Sequence, residues 1–114
     1  MNILTGEIWL VNLDPTMGDE IRKMRPAIVV SRDELGILAL RVVVPVTAWQ
    51  DRFEGCDWLV RIDPDESNRL AKASTADTFQ VRSVSTLRFI RCLGHLSDAD
   101  FERVRKGMKA VFEL

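Results

Sequence analysis

The chain has 114 residues, of which 46% are hydrophobic and 29% are charged, with 16 Lys and Arg against 17 Asp and Glu. This length indicates a single domain, residues 1–114, and the hydrophobic fraction excludes the composition of disordered chains. The net charge of −1 excludes a globally basic nucleic-acid coat, but a local basic patch could still bind a polyanion.

The N-terminal segment has no Lys or Arg before its apolar residues, and Glu7 interrupts the apolar stretch, so we expect no signal peptide. The apolar run at residues 42–46 is too short to cross a membrane. Two cysteines are too few for a disulfide scaffold. Cys56 and Cys92 could pair, but we interpret them as reduced, buried or half-buried structural thiols. These features predict a soluble, cytoplasmic protein with no membrane partner.

In the first two-thirds of the chain, apolar residues recur with a period of two between turn residues, which predicts strands. We place these strands at residues 7–13, 27–31, 38–46, 58–62 and 78–84. Pro45 cannot donate to a strand ladder, so the third strand should lie at an edge or carry a bulge there. In the last strand, Phe79 and Val81 should pack inward.

The C-terminal segment has helical periodicity instead. Ser97 is a predicted N-cap with acidic residues in the first turn after it. The apolar residues that follow are Phe101, Val104, Met108 and Val111. Their spacing of three and four predicts one apolar face of a helix of about four turns. Short strands followed by one helix indicate a mostly-β, α+β fold, namely a small, strongly bent β-barrel closed by a C-terminal helix.

Positive charge is concentrated in residues 21–32, which contain no acid. The four bases are Arg22, Lys23, Arg25 and Arg32. They lie on and beside a long loop between two predicted strands, and such a loop on a rigid scaffold could bind a polyanion. The same residues could equally form ordinary surface salt bridges.

No motif for a metal, an organic cofactor or a nucleoside triphosphate is present, so we expect no cofactor and no metal site. The single histidine, His95, precedes the predicted helix and is interpreted as a structural or capping residue. The two cysteines are far apart in the sequence and belong to no metal-binding spacing. Any reaction must therefore use other side chains.

The candidate reactive group consists of Glu20, Arg25 and Thr47. Glu20 and Arg25 lie at the two ends of the basic loop, and Thr47 follows the third predicted strand. If the second and third strands form an antiparallel pair, Arg25 and Thr47 become neighbours at one rim of the sheet. A guanidinium and a hydroxyl that converge can bind a phosphate. Each of the three could instead be a routine loop charge or strand-end cap.

The order of these motifs resembles the MazF/PemK family of toxins. The matching segments are Gly6-Glu7-Ile8-Trp9, Asp14-Pro15-Thr16-Met17-Gly18-Asp19-Glu20, Arg25-Pro26-Ala27-Ile28-Val29-Val30-Ser31, Val44-Pro45-Val46-Thr47, Gln80-Val81-Arg82 and Leu93-Gly94-His95-Leu96-Ser97-Asp98. The match covers nearly the whole chain, whereas residues 50–55 and 65–73 show no clean correspondence.

The resemblance implies an SH3-like barrel, a homodimer and a sequence-specific, metal-independent endoribonuclease that cleaves single-stranded RNA and inhibits translation. It also implies a cognate antitoxin whose disordered C-terminal tail lies over the RNA groove of the dimer. By motif match, Arg25 and Thr47 take catalytic positions, and Glu20 takes an acidic loop position important for activity. Gln80 and Arg82 match a strand that contributes RNA contacts.

The expected reaction is attack of a ribose 2′-OH on the adjacent phosphorus, which leaves a 2′,3′-cyclic phosphate and a 5′-OH. Arg25 would stabilise the phosphorane, Thr47 would donate to a non-bridging oxygen, and Glu20 would act as the base. The remaining expected RNA-binding residues are Arg22, Lys23 and Trp49. Trp49 is either a stacking platform or a rim aromatic that covers the barrel mouth.

Two other functions remain open at this point. A CcdB-like inhibitor of DNA gyrase would use the same fold without nuclease activity. A small barrel could also bind only protein or nucleic acid. Trp9 and Trp58 are expected in the core or in a dimer interface.

Overall fold

The computed structural model describes residues 2–114, which form seven strands and one α-helix. The elements are β1 (Glu7–Asn12), β2 (Met24–Val29), β3 (Leu40–Ala48), β4 (Leu59–Ile62), β5 (Ser74–Asp77), β6 (Arg82–Ser85), β7 (Phe89–His95) and α1 (Asp98–Phe112). Short 3-10 turns cover Asp33–Leu35, Asp51–Phe53, Thr78–Gln80 and Thr86–Arg88. Within the described residues, no helix is both long enough and apolar enough to span a bilayer.

All strand pairs are antiparallel, and the strands follow the order β4-β5-β3-β2-β1-β7, with β6 paired to β3 beside this path. The predicted mostly-β fold with one C-terminal helix is therefore confirmed. Closure of the sheet into a barrel is not seen in the described chain, because β4 and β7 end the path and do not pair with each other.

Strand β3 is central, so the first of the two alternatives predicted from Pro45, an edge strand, is wrong. On one side, β3 pairs with β6 up to Val43 and with β5 from Val46 onward. Pro45 lies in the interval between these two partners and pairs with Ala27 on the other side. A residue without a backbone N–H fits there because neither β6 nor β5 requires a donor at this position.

Each face of the sheet carries its own hydrophobic cluster. The first core consists of Ile3, Trp9, Val11, Leu13, Ala27, Val29, Val43, Val84 and Phe89. The second core consists of Ile8, Ile28, Val44, Val46, Val60, Ile62, Ala76, Leu96 and Val104. The alternation along β1, β2 and β3 divides the residues between the two faces. Helix α1 covers the second core, which leaves the first-core face for the loop between β1 and β2.

The predicted helix is confirmed, including its cap. The Ser97 hydroxyl accepts a hydrogen bond from the backbone N–H of Asp100 at 3.1 Å. Val104, on the inner face of the helix, is fully buried in the second core. At Gly107 the helix comes so close to the sheet that an added Cβ would lie 2.9 Å from Val60 Cγ2. A small residue is required for this packing distance.

Several local predictions are wrong. Residues 78–84 do not form one strand, because Thr78–Gln80 is a 3-10 turn and Phe79 is 70% exposed. Of the two alternatives predicted for Trp9 and Trp58, the core holds for Trp9, which is buried. Trp58 precedes β4 and is 37% exposed, so only the dimer interface remains as its predicted place. Both cysteines are free, as expected, but Cys92 is exposed.

Candidate active site

Arg25 and Thr47 occupy corresponding positions on adjacent strands. The pairing of β2 with β3 ends at Ala27 and Pro45. If its register is extended by two residues, Arg25 comes opposite Thr47. Residues two apart on a strand share a face, so both side chains lie on the face of the first core. The register of β2 and β3 is compatible with the neighbourhood inferred from the sequence.

The functional groups of both residues are accessible to a ligand. The Arg25 side chain is exposed, and its Nε donates to the Arg22 carbonyl at 3.3 Å. Within residues 2–114, its terminal nitrogens and the half-buried Thr47 hydroxyl make no hydrogen bond, and Arg25 joins no salt bridge. A cation and a donor without internal partners provide the groups that an anionic ligand needs.

The same holds for the rest of the basic segment. The salt bridges of the described chain are Arg61–Asp63, Arg103–Asp100 and Arg105–Glu102. None of them involves Arg22, Lys23, Arg25 or Arg32, so the interpretation of this segment as surface salt bridges is wrong. Arg22 and Lys23 are exposed, and Lys23 adopts a left-handed backbone conformation with φ 70°.

The loop formed by residues 13–23 connects β1 to β2 and carries Glu20. Its ends are joined by the hydrogen bond from the Leu13 N–H to the Lys23 carbonyl at 3.0 Å. Near its tip, the Met17 N–H donates to Glu20 Oε1 at 2.7 Å, and the Glu20 N–H donates to the Met17 carbonyl at 3.2 Å. One Glu20 oxygen thus belongs to the turn itself. Ile21 packs against the first core, so the loop folds over the face that carries Arg25 and Thr47.

Side chains from the segment around β6 attach this loop to the sheet. Gln80 accepts from the Ile21 N–H at 2.5 Å and donates to the Asp19 carbonyl at 3.1 Å. Arg82 Nη1 donates to the Leu13 carbonyl at 3.2 Å. Both side chains were expected to contact RNA, but here each is engaged with the loop.

Arg88, which the sequence did not single out, donates to the carbonyls of Asn12 and Asp14. No local pattern reveals this role, because its acceptors are more than seventy residues away.

A cleft of about 590 Å³ lies between the loop and the β4–β6 region. It is lined by Asp19, Glu20, Trp58, Asp77, Phe79, Gln80, Val81 and Arg82. Burial raises the pKa of the Asp77 carboxyl, and its hydrogen bonds with the backbone of Phe79 and Gln80 partly oppose that rise. Arg25 and Thr47 do not line this cleft. The described chain therefore places Glu20 in this cleft and does not enclose it in one cavity with Arg25 and Thr47.

Beyond Thr47, the same face continues across two more strands. Thr47 pairs with Thr75, and Thr75 pairs with Arg61, so all three point to one side. The guanidinium of Arg61 lies 5.4 Å from the centre of the Trp49 ring, and that ring meets Phe53 edge-to-face at 5.8 Å. The hydrogen bond and charge of Asp63 raise the pKa of Arg61. Trp49 is half-buried in this cluster, and Arg61 is a neighbour that sequence inspection missed.

His95 ends β7 and pairs with Glu7. Among residues 2–114, no three or more His, Cys, Asp or Glu side chains are grouped so that they could hold a metal ion.

Comparison with known proteins places this chain in a family. A family model described as PemK-like, MazF-like toxin of type II toxin-antitoxin system matches residues 4–112. A Mycobacterium tuberculosis protein named endoribonuclease MazF9 is 33% identical over 115 residues, which cover 96% of this chain and 95% of that protein. Escherichia coli endoribonuclease PemK is 50% identical over 59 residues, covering 51% of this chain and 44% of that protein. The chain belongs to the family of PemK-like, MazF-like toxins of type II toxin–antitoxin systems.

Solved structures share the fold. A crystal structure of MazF from Deinococcus radiodurans superposes with a TM-score of 0.81 at 21% identity, covering 100% of this chain and 99% of that one. An endoribonuclease from a mycobacterial species, solved in complex with its cognate antitoxin, gives a TM-score of 0.78 at 15% identity and covers 98% of this chain and 96% of that one.

Proposed function

We propose that this chain is the toxin of a type II toxin–antitoxin system and acts as a sequence-specific, metal-independent endoribonuclease on single-stranded mRNA, so that it inhibits translation and growth. The observation that carries the proposal is the placement of Arg25 and Thr47. Within residues 2–114, the terminal guanidinium nitrogens of Arg25 and the hydroxyl of Thr47 make no hydrogen bond, and the extended register of β2 and β3 brings the two residues opposite each other. The naming of the relatives MazF9 and PemK as endoribonucleases supports the same activity.

In this mechanism the ribose 2′-oxygen forms a bond to the adjacent phosphorus while the bond from phosphorus to the 5′-oxygen breaks. The departing 5′-oxygen takes a proton from solvent water, which gives a 2′,3′-cyclic phosphate and a 5′-OH. Arg25 binds two phosphate oxygens through its terminal nitrogens and stabilises the charge of the phosphorane. Thr47 donates to a non-bridging oxygen. Glu20 accepts the proton of the 2′-OH through the carboxylate oxygen that does not bond Met17, once the loop and the strand rim both contact the substrate.

RNA would extend from this centre over the exposed cations Arg22 and Lys23 and towards Trp49. The Trp49 ring is half-buried against Phe53 and beneath Arg61, and its remaining surface could stack a splayed base. Arg82 lines the cleft beside Glu20, where one of its nitrogens holds the loop and the others remain for a phosphate. Gln80 lines the same cleft, and the Nε2 hydrogen not directed at Asp19 remains for a base edge.

We further propose that residues 1–114 act as one domain, that two copies form a homodimer, and that the disordered tail of a cognate antitoxin covers the RNA groove in the cytoplasm. The mycobacterial endoribonuclease solved with its cognate antitoxin supports the partner. Exposed Trp58 and Phe79 beside the cleft provide apolar surface for the second copy. Strand β3, shared by β6 and β5, supports an SH3-like barrel that remains open between β4 and β7.

The test is a cleavage assay with long single-stranded RNA in excess EDTA, followed by mapping of the 5′ ends. Wild type should cut at discrete sites and leave 5′-OH ends, and Arg25→Ala should not cut. Arg105→Ala, which changes an exposed arginine paired with Glu102 on the helix, is the matched control and should cut like wild type. Intact RNA after incubation with folded wild type would refute the nuclease proposal. Inhibition of DNA gyrase, an alternative that the named relatives do not support, would then be the next activity to test.

A further inference from the structure

We propose that Gln80 is a positioning residue that holds Glu20 in place for the reaction. This inference rests on the proposed nuclease function. The carboxamide of Gln80 binds the peptide groups on both sides of Glu20: Oε1 accepts from the Ile21 N–H at 2.5 Å, and Nε2 donates to the Asp19 carbonyl at 3.1 Å. The two hydrogen bonds span 59 and 61 residues of the sequence, respectively.

Gln80 is suited to this role because its own backbone is firmly held. It ends the 3-10 turn Thr78–Gln80, in which the Asp77 carboxylate accepts from the Phe79 N–H at 3.2 Å. Thr78 is fully buried and its hydroxyl donates to the Trp58 carbonyl at 2.7 Å. The turn also packs against helix α1. The anchor is therefore part of the rigid scaffold.

The tip of the loop has few other attachments. Residues 17–20 are exposed, and the two hydrogen bonds between Met17 and Glu20 shape the turn without joining it to the sheet. The contacts at Leu13 and Lys23 hold only the two ends of the loop. Within the described chain, Ile21 packing and the Gln80 carboxamide are what connect the tip to the sheet.

Only a side chain with both a donor and an acceptor at this length can bind both peptide groups. Methionine has nearly the same length and volume but cannot replace either hydrogen bond. Gln80→Met should therefore leave the fold intact while the tip becomes mobile, and Glu20 would then occupy its working position for only part of the time. Two neutral hydrogen bonds bias a loop equilibrium by a factor of about 10 to 100.

The experiment measures single-turnover cleavage of a fluorogenic single-stranded RNA with enzyme in excess, for wild type, Gln80→Met, Glu20→Gln and the double variant. Gln80→Met should lower the rate constant at saturating enzyme about 10- to 100-fold and change the half-saturating concentration less than about threefold. In the Glu20→Gln background, Gln80→Met should change the rate by less than about twofold, because the group that it positions is already absent. Gln50→Met, which changes an exposed glutamine bonded to Arg52, is the matched control and should behave like wild type.

Two results would overturn the proposal. An equal loss of rate in the Glu20→Gln background, or an effect confined to the half-saturating concentration, would show that Gln80 acts only through its contact with RNA and does not position Glu20. Amide hydrogen exchange gives a readout that needs no catalysis: Gln80→Met should accelerate exchange at Ile21 and leave the strand amides unchanged. If wild type cleaves no RNA, the proposed function fails while this exchange comparison still tests the attachment, and unchanged protection of Ile21 would refute it.

Discussion

Replacing Thr47 with valine isolates the contribution of one hydroxyl group to the proposed reaction. Valine has the shape of threonine and the same preference for a strand. Thr47 is half-buried in β3, and its hydroxyl makes no hydrogen bond within residues 2–114. The substitution therefore leaves no described group without its partner, and the free energy of unfolding should change by less than about 1 kcal/mol.

The effect on catalysis should be much larger. A donor aimed at the charge that develops in a transition state contributes about 10²–10³ in rate, which corresponds to about 2.7–4 kcal/mol. Thr47→Val should reduce the single-turnover rate constant by this factor. Thr47→Ser keeps the hydroxyl and should stay within about tenfold of wild type, with the remaining loss due to a freer side-chain rotamer.

Thr75→Val is the matched control, because Thr75 pairs with Thr47 across the strands. Its hydroxyl already donates a hydrogen bond to the Ala48 carbonyl at 3.2 Å, and the residue is only 1% exposed. This variant should lose about 0.5–1.5 kcal/mol of stability and keep its cleavage rate. Thermal unfolding and single-turnover cleavage at saturating enzyme separate the two effects. A folded Thr47→Val protein with the wild-type rate, or a Thr75→Val protein that loses as much rate, would refute the role assigned to the Thr47 hydroxyl.

Three further predictions concern stability. Asn68 is fully buried and its side chain makes three hydrogen bonds with backbone groups of residues 63–70, so Asn68→Ala should destabilise by about 2–4 kcal/mol in chemical unfolding; a change below about 0.5 kcal/mol would contradict this. A Cβ at Gly94 would lie 2.5 Å from the Ser67 carbonyl oxygen, so Gly94→Ala should lower the melting temperature by several degrees, and an unchanged value would show that the strand can shift freely. Burial raises the folded-state pKa of Asp77, so its contribution to stability is largest below its unfolded pKa and declines as pH rises through the folded value. Asp77→Asn should therefore raise the melting temperature at pH 7, and the gain should shrink towards pH 4; a gain that grows in acid would contradict the sign.

Local patterns were sufficient for elements whose signal lies within one segment. The N-cap at Ser97 and the apolar spacing after it define α1, and alternation defines β1 and β3 to within a few residues. Strands β5 and β7 were not predicted from the sequence because their burial does not follow simple alternation. Ser74, Thr75 and Ala76 are all buried in β5, and β7 meets β1 with register shifts.

For the candidate site, the sequence alone was enough to propose the reactive groups and to place them near the ends of strands. A β2–β3 hairpin register is enough to bring Arg25 and Thr47 to one rim, because both residues are close in sequence to the paired segments. The tertiary structure alone decided that Pro45 lies in a central strand between two partners and that Gln80 binds the loop around Glu20. It also decided that Arg25 joins no salt bridge among residues 2–114. The physical reason is that partner choice by a charge or an amide depends on which distant backbone groups come within about 3 Å, and one-dimensional spacing carries no information on that distance.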